Sequence, residues 1–98
     1  MPAPRNAAAA AAANGKIYVM GGDLGDGNNS SMYDSILEYD PVADTWTARG
    51  TFVKFSAGAA VSVNNRVYAI GGYDFVTYGL DKVTEYLPNI YFNIFVKD

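Results

Sequence analysis

Two carboxylates three residues apart, Asp23 and Asp26, open the most polar stretch of the chain, Asp23-Leu-Gly-Asp-Gly-Asn-Asn-Ser-Ser-Met-Tyr-Asp34. Oxygen-rich segments of this kind hold calcium when their ligands alternate and a glutamate closes the loop. Here the spacing is wrong and the closing glutamate is missing, so the segment reads as a connection built from Gly, Asn, Asp and Ser. A second stretch, Tyr73-Asp-Phe-Val-Thr-Tyr-Gly-Leu-Asp81, carries Tyr73, Phe75 and Tyr78. Aromatic side chains are enriched at binding hot spots, and they also serve as packing surfaces between neighbouring elements. Asp23, Asp26, Tyr73, Phe75 and Tyr78 are therefore the candidate binding residues.

The rest of the chemical repertoire is narrow. With no histidine and no cysteine, the commonest general base, the commonest metal ligand, thiolate chemistry and disulfides are all missing. Glu38 and Glu85 each precede a tyrosine inside an apolar run and read as structural. No catalytic residue is assigned, and no metal or other cofactor is expected. Seven basic against ten acidic residues give a net charge of -3, without the positive excess that drives nucleic-acid binding. Arg5, Lys16, Arg49, Lys54 and Arg66 are scattered, so solvated surface charge is the default reading for them. The alanine run Ala7 to Ala13 is too short and too weakly hydrophobic to span a bilayer or serve as a signal peptide, so no membrane partner is expected. A chain without cysteine suits a reducing compartment, which makes the cytoplasm the expected location.

The elements that must position these residues come from an internal repeat. Asn14-Gly-Lys-Ile-Tyr-Val-Met-Gly-Gly22 returns fifty residues later as Asn64-Asn-Arg-Val-Tyr-Ala-Ile-Gly-Gly72. The alanine run falls on Ala57-Gly-Ala-Ala60, and Ile36-Leu-Glu-Tyr-Asp-Pro41 reappears as Val83-Thr-Glu-Tyr-Leu-Pro88 after a shorter loop. The halves divide as residues 1–50 and 51–98. Asn-Gly and Asn-Asn turns, apolar and aromatic runs, and prolines that stop them predict strands near 7–13, 16–21, 35–39 and 45–49, then 57–63, 66–71, 82–86 and 90–96. Small residues in the first run of each half suit the innermost strand of a propeller blade, where strands crowd around an axis. The glycine pairs Gly21-Gly22 and Gly71-Gly72 permit positive φ and close backbone approach. Tyr39 and Trp46 read as packing anchors in the seam between adjacent blades.

These residues closely resemble the kelch repeat family. The resemblance rests on Pro4-Arg5, on aliphatic-Tyr-aliphatic-aliphatic-Gly-Gly at 17–22 and 67–72, and on Glu38-Tyr39-Asp40-Pro41 followed by Trp46, with Tyr86 as the counterpart of Tyr39. It implies an all-β fold of two four-stranded antiparallel blades. The second copy departs from the family pattern at Phe55, which stands where the first copy has Arg5, and at Asn93, where the family places tryptophan. The C-terminal strand of the second blade is therefore expected to be atypical.

Two blades cannot surround an axis that such folds close with about four to eight. The chain is expected either to be part of a larger propeller or to be the protomer of an oligomeric one, formed by a head-to-tail interface. The resemblance implies an interaction module that holds a protein partner through its inter-strand loops. It also offers two enzymatic precedents, a copper oxidase of galactose and sialic acid epimerases. Copper chemistry is disfavoured by the missing histidine and cysteine. A sugar-binding or sugar-processing site that forms only on closure is the alternative, and a structural fragment without activity of its own is a third.

Overall fold

The computed structural model describes residues 1, 4–25, 33–51, 55–72, 83–86 and 94–97. Its strands are β1 (Ala9–Ala13), β2 (Lys16–Met20), β3 (Ser35–Asp40), β4 (Thr45–Thr51), β5 (Ala59–Val63), β6 (Arg66–Ile70), β7 (Val83–Tyr86) and β8 (Ile94–Lys97). They form two four-stranded antiparallel meanders, β1-β2-β3-β4 and β5-β6-β7-β8. The described residues contain no helix.

The local chemistry explains the hairpins. Asn14 and Gly15 have φ of 54° and 72°, and Asn64 and Asn65 have φ of 51° and 59°. Positive φ at both central residues matches the right-handed twist of the flanking strands, and asparagine is among the few non-glycine residues that tolerate it. Between β3 and β4 the Asp40 carboxylate accepts hydrogen bonds from the Val42 and Ala43 amides at 2.9 and 3.2 Å. That side chain replaces strand pairing where Pro41 ends it.

Four boundaries, the starts of β1 and β5 and the ends of β2 and β6, differ from the sequence expectation for one physical reason. β1 and β5 begin at residues 9 and 59 rather than 7 and 57, because Ala7 and Ala57 sit at φ of 55° and 58°. β2 and β6 stop before the glycine pairs for the same reason, since Gly21 and Gly71 have φ of 70° and 68°. Left-handed backbone cannot extend a strand. β8 is described from Ile94; its expected start at 90 falls among residues 87–93, which lie outside the described set.

The two sheets meet through their inner strands, with β1 lying against β5 and β6. Strand alternation puts Ala9, Ala11, Ala13, Tyr18 and Met20 on one face of the first sheet, and pairing adds Ile36 and Glu38. Phe55, Val67 and Ala69 from the second half cover that face, giving the buried cluster of the molecule. Alanine is needed here for its size: the inner strands approach each other closely, and a longer side chain on β1 would displace β5. Each large side chain buried in this seam contributes about 1.5–3 kcal/mol.

Tyr39 and Trp46 form a cross-strand pair, with ring centroids 4.8 Å apart. Tyr18 pairs with Glu38, so Tyr39 has the opposite parity and stands with Ile17 and Trp46 on the face turned away from the second sheet. The seam within this chain is built by Tyr18 and Met20; Tyr39 and Trp46 stand on the opposite face of their blade, the one that would meet a preceding blade.

Candidate functional site

The sequence-predicted loops start where β2 and β6 end, and a single side chain brings those two ends together. The Phe55 ring is 1% exposed. A methyl group placed on Gly21 would lie 2.6 Å from the Phe55 carbonyl oxygen and 2.9 Å from its ring, and one placed on Gly72 would lie 3.1 Å from that ring. Both glycine pairs therefore flank one phenylalanine, which brings the ends of β2 and β6 together. The Gly22 amide donates to the Phe55 carbonyl at 2.7 Å, and the Ala57 amide donates to the Ala7 carbonyl at 2.9 Å.

The base of the first loop is held by charge. Arg5 Nη1 donates to the carbonyls of Gly21 and Ser35, each at 3.0 Å, and Nη2 donates to Ser35 Oγ at 2.6 Å. Its guanidinium lies over the Tyr33 ring, 4.2 Å from the centroid, a distance at which the ring quadrupole attracts a cation. The two strand ends that bracket residues 21–34 are thereby fixed from one point. Burial pulls the Arg5 pKa below the ordinary guanidinium value, opposed by Tyr33 and Asp34.

Asp23 belongs to this base. It is 4% exposed, and it pairs with Asn6 through two backbone hydrogen bonds of 2.8 and 3.0 Å. One carboxylate oxygen accepts from the Gly25 amide at 2.6 Å and the other from the hydroxyl of Ser56, a fully buried residue of the second half. Its oxygens are thus turned inward, closing a tight turn and tying the two blades together. Asp26, Tyr73, Phe75 and Tyr78 lie outside the described residues.

A second polar group sits deeper in the seam. Glu38 is 4% exposed; Tyr18 donates its hydroxyl to Oε2 at 2.7 Å, and Arg49 donates Nε and Nη2 to Oε1 at 3.2 and 3.0 Å. Burial pushes the Glu38 pKa up, but hydrogen bonds from Arg49 and Tyr18, with the charges of Arg49 and Lys16, outweigh it and hold the carboxyl below its ordinary value. A carboxylate so saturated by donors is a structural anion and a poor proton acceptor for chemistry. Glu85 occupies the matching register position opposite Tyr68, and Tyr86 stands opposite Val67.

Sequence reasoning missed three of these residues. Arg5 and Arg49 are not solvated surface charge: each is spent on a buried partner. Antiparallel pairing sets Glu38 opposite Thr47, two residues from Arg49, so the ion pair becomes visible once the β3–β4 register is known. Ser56 carried no signal, since its acceptor lies 33 residues away. Among the described residues no group of three His, Cys, Asp or Glu side chains could hold a metal ion.

Four-stranded meanders set side by side on their first strands are blades of a β-propeller. The Kelch motif matches residues 4–51 and 55–88, and the chain belongs to the kelch repeat family. Over 76 residues it is 37% identical to the Kelch repeat and BTB domain-containing protein 12 of Homo sapiens, a match that covers 70% of this chain and 12% of that protein. Over 73 residues it is 38% identical to the N-acetylneuraminate epimerase of Pasteurella multocida (strain Pm70), covering 69% of this chain and 19% of the epimerase. The chain thus spans less than a fifth of the length of either curated relative.

Proposed function

We propose that these two blades form an interaction module that holds a protein partner on the edge from which residues 23–34 and 73–81 leave. The observation that carries this reading is the Phe55 wedge between the two glycine pairs, which brings the described bases of the two loops together. Arg5 and the Asp23–Ser56 hydrogen bond hold the base of the first loop rigid, which lowers the entropic cost of binding. The candidate contacts are Tyr73, Phe75 and Tyr78, with Asp26 supplying charge. Similarity to a protein that joins kelch repeats to a BTB domain supports the reading.

The test is site-specific photocrosslinking. A crosslinker at Phe75 is expected to capture the partner, and one at Ala43, on the turn at the opposite edge, is expected not to. Equal capture from both positions would remove these loops as the binding edge. Similarity to an N-acetylneuraminate epimerase favours a second reading, in which closure with further blades creates a sugar site. In the closed propeller, epimerisation of N-acetylneuraminate faster than in buffer, followed by NMR, would select it; the buffer rate would reject it.

A further inference from the structure

The second sheet repeats the buried face of the first and leaves it open. In the first sheet Ala9, Ala11, Ala13, Tyr18 and Met20 are covered by Phe55, Val67 and Ala69. Fifty residues later the same positions are Ala59, Val61, Val63, Tyr68 and Ile70, and Val61, Val63 and Ile70 are 46%, 55% and 44% exposed. The covering face behaves in the converse way. Ala60, Ser62, Val67 and Ala69 have their counterparts on the first sheet in Ala10, Ala12, Ile17 and Val19, where Ile17 is 38% exposed. The two open faces are therefore the two halves of an interface that the chain already builds once.

The polar ties follow the same correspondence. Gly22 N to Phe55 O and Ala57 N to Ala7 O join the two blades. One repeat later the matching groups are Gly72 N and Ala57 O beside the open face of the second sheet, and Arg5 O and Ala7 N beside that of the first. A second copy presents those groups in the order the first copy needs.

We propose that the open face of the second blade docks the open face of the first blade on another copy of this chain, head to tail, so that successive copies continue the blade order. Such an interface is heterologous and closes into a ring when the rotation per copy permits. An isologous dimer would instead set Val61 against Val61, without the small covering residues that the internal seam uses. The inference stands on the two faces and is independent of what the loops hold.

The experiment measures mass by light scattering coupled to size exclusion across protein concentration, for the wild-type chain and for Val61→Asp and Ile17→Asp. Both positions are partly exposed within the two-blade unit and neither belongs to the buried cluster, so each change alters one face and leaves the internal seam in place. The wild type is expected at an integer multiple of 10.5 kDa, and each variant at 10.5 kDa with an unchanged circular dichroism spectrum. An equimolar mixture of the two variants is expected to give a heterodimer and nothing larger, because only one intact pair of faces remains. A wild type that is monomeric at every concentration overturns the proposal, as does an Ile17→Asp variant that assembles like the wild type. Should Val61→Asp lose its spectrum, Val63→Asp on the same face takes its place and must be monomeric.

Discussion

Replacing Gly21 by alanine tests the claim that close approach, and not turn geometry alone, places the two loop bases together. At φ of 70° an L side chain costs about 1–2 kcal/mol relative to glycine. The added methyl would also lie 2.6 Å from a backbone oxygen and 2.9 Å from ring carbons of Phe55. The nearest atom is backbone and cannot rotate away, so the seam must open, at a cost of about 1–3 kcal/mol for overpacking. The expected loss is about 2–5 kcal/mol. Gly15→Ala is the matched control: its φ is 72°, and nothing lies within 4 Å of the added methyl, leaving the conformational cost alone. Urea denaturation followed by the fluorescence of Trp46, the single tryptophan, reads both variants. Each kcal/mol of difference corresponds to about 4–8 °C in Tm for a domain of this size. Equal losses for Gly21→Ala and Gly15→Ala would refute the wedge and with it the shared origin of the two loops.

Two further perturbations address the polar ties. Ser56→Ala leaves a buried oxygen of Asp23 without its donor and is expected to destabilise by about 1–3 kcal/mol, measured by the same denaturation. It should also raise amide exchange at Gly25, whose donor bond shares that carboxylate. Glu38 is held below its ordinary pKa in the fold, so its contribution is complete above the unfolded value of 4.5 and is lost as pH falls through the depressed folded value. Glu38→Gln is expected to lower stability at pH 7 by about 1–3 kcal/mol and to flatten the acid limb of stability against pH. An unchanged acid limb would mean that Arg49 and Tyr18 do not depend on the charge.

How much of this could be read from sequence follows from the range of each interaction. The strands and both meanders were legible because period-two patterning, Asn-Gly turns and the fifty-residue repeat are local signals. The strand starts were not, because Ala7 and Ala57 occupy left-handed backbone that alanine does not advertise; the bridge between Asn6 and Asp23 holds the first of them from outside the segment. Tyr39 and Trp46 were legible as packing anchors, but their cross-strand pairing and the face they occupy depend on parity relative to Tyr18, which needs the β2–β3 and β3–β4 registers. Asp23 drew attention as a candidate binding residue because it opens a polar run. Its burial comes from Ser56, a residue the run does not contain.

The substitution of phenylalanine for arginine at the start of the second repeat gives the two halves different roles. Arg5 turns into its own blade, where Gly21, Ser35 and Tyr33 absorb its charge. Phe55 has no charge to satisfy, so its ring lies in the seam and wedges the two blades at the loop edge. In a junction between copies, Arg5 would stand at the position of Phe55 while already committed within its own sheet, so that junction lacks the wedge. Val61 and Val63 in place of Ala11 and Ala13, and Ile17 in place of Val67, move apolar contact toward the inner strands instead. The internal seam is then the stronger at the loop edge, and the seam between copies the wider near the axis. Dilution should separate copies before it separates blades, so the two-blade chain keeps its loop edge preformed whether or not a ring has closed.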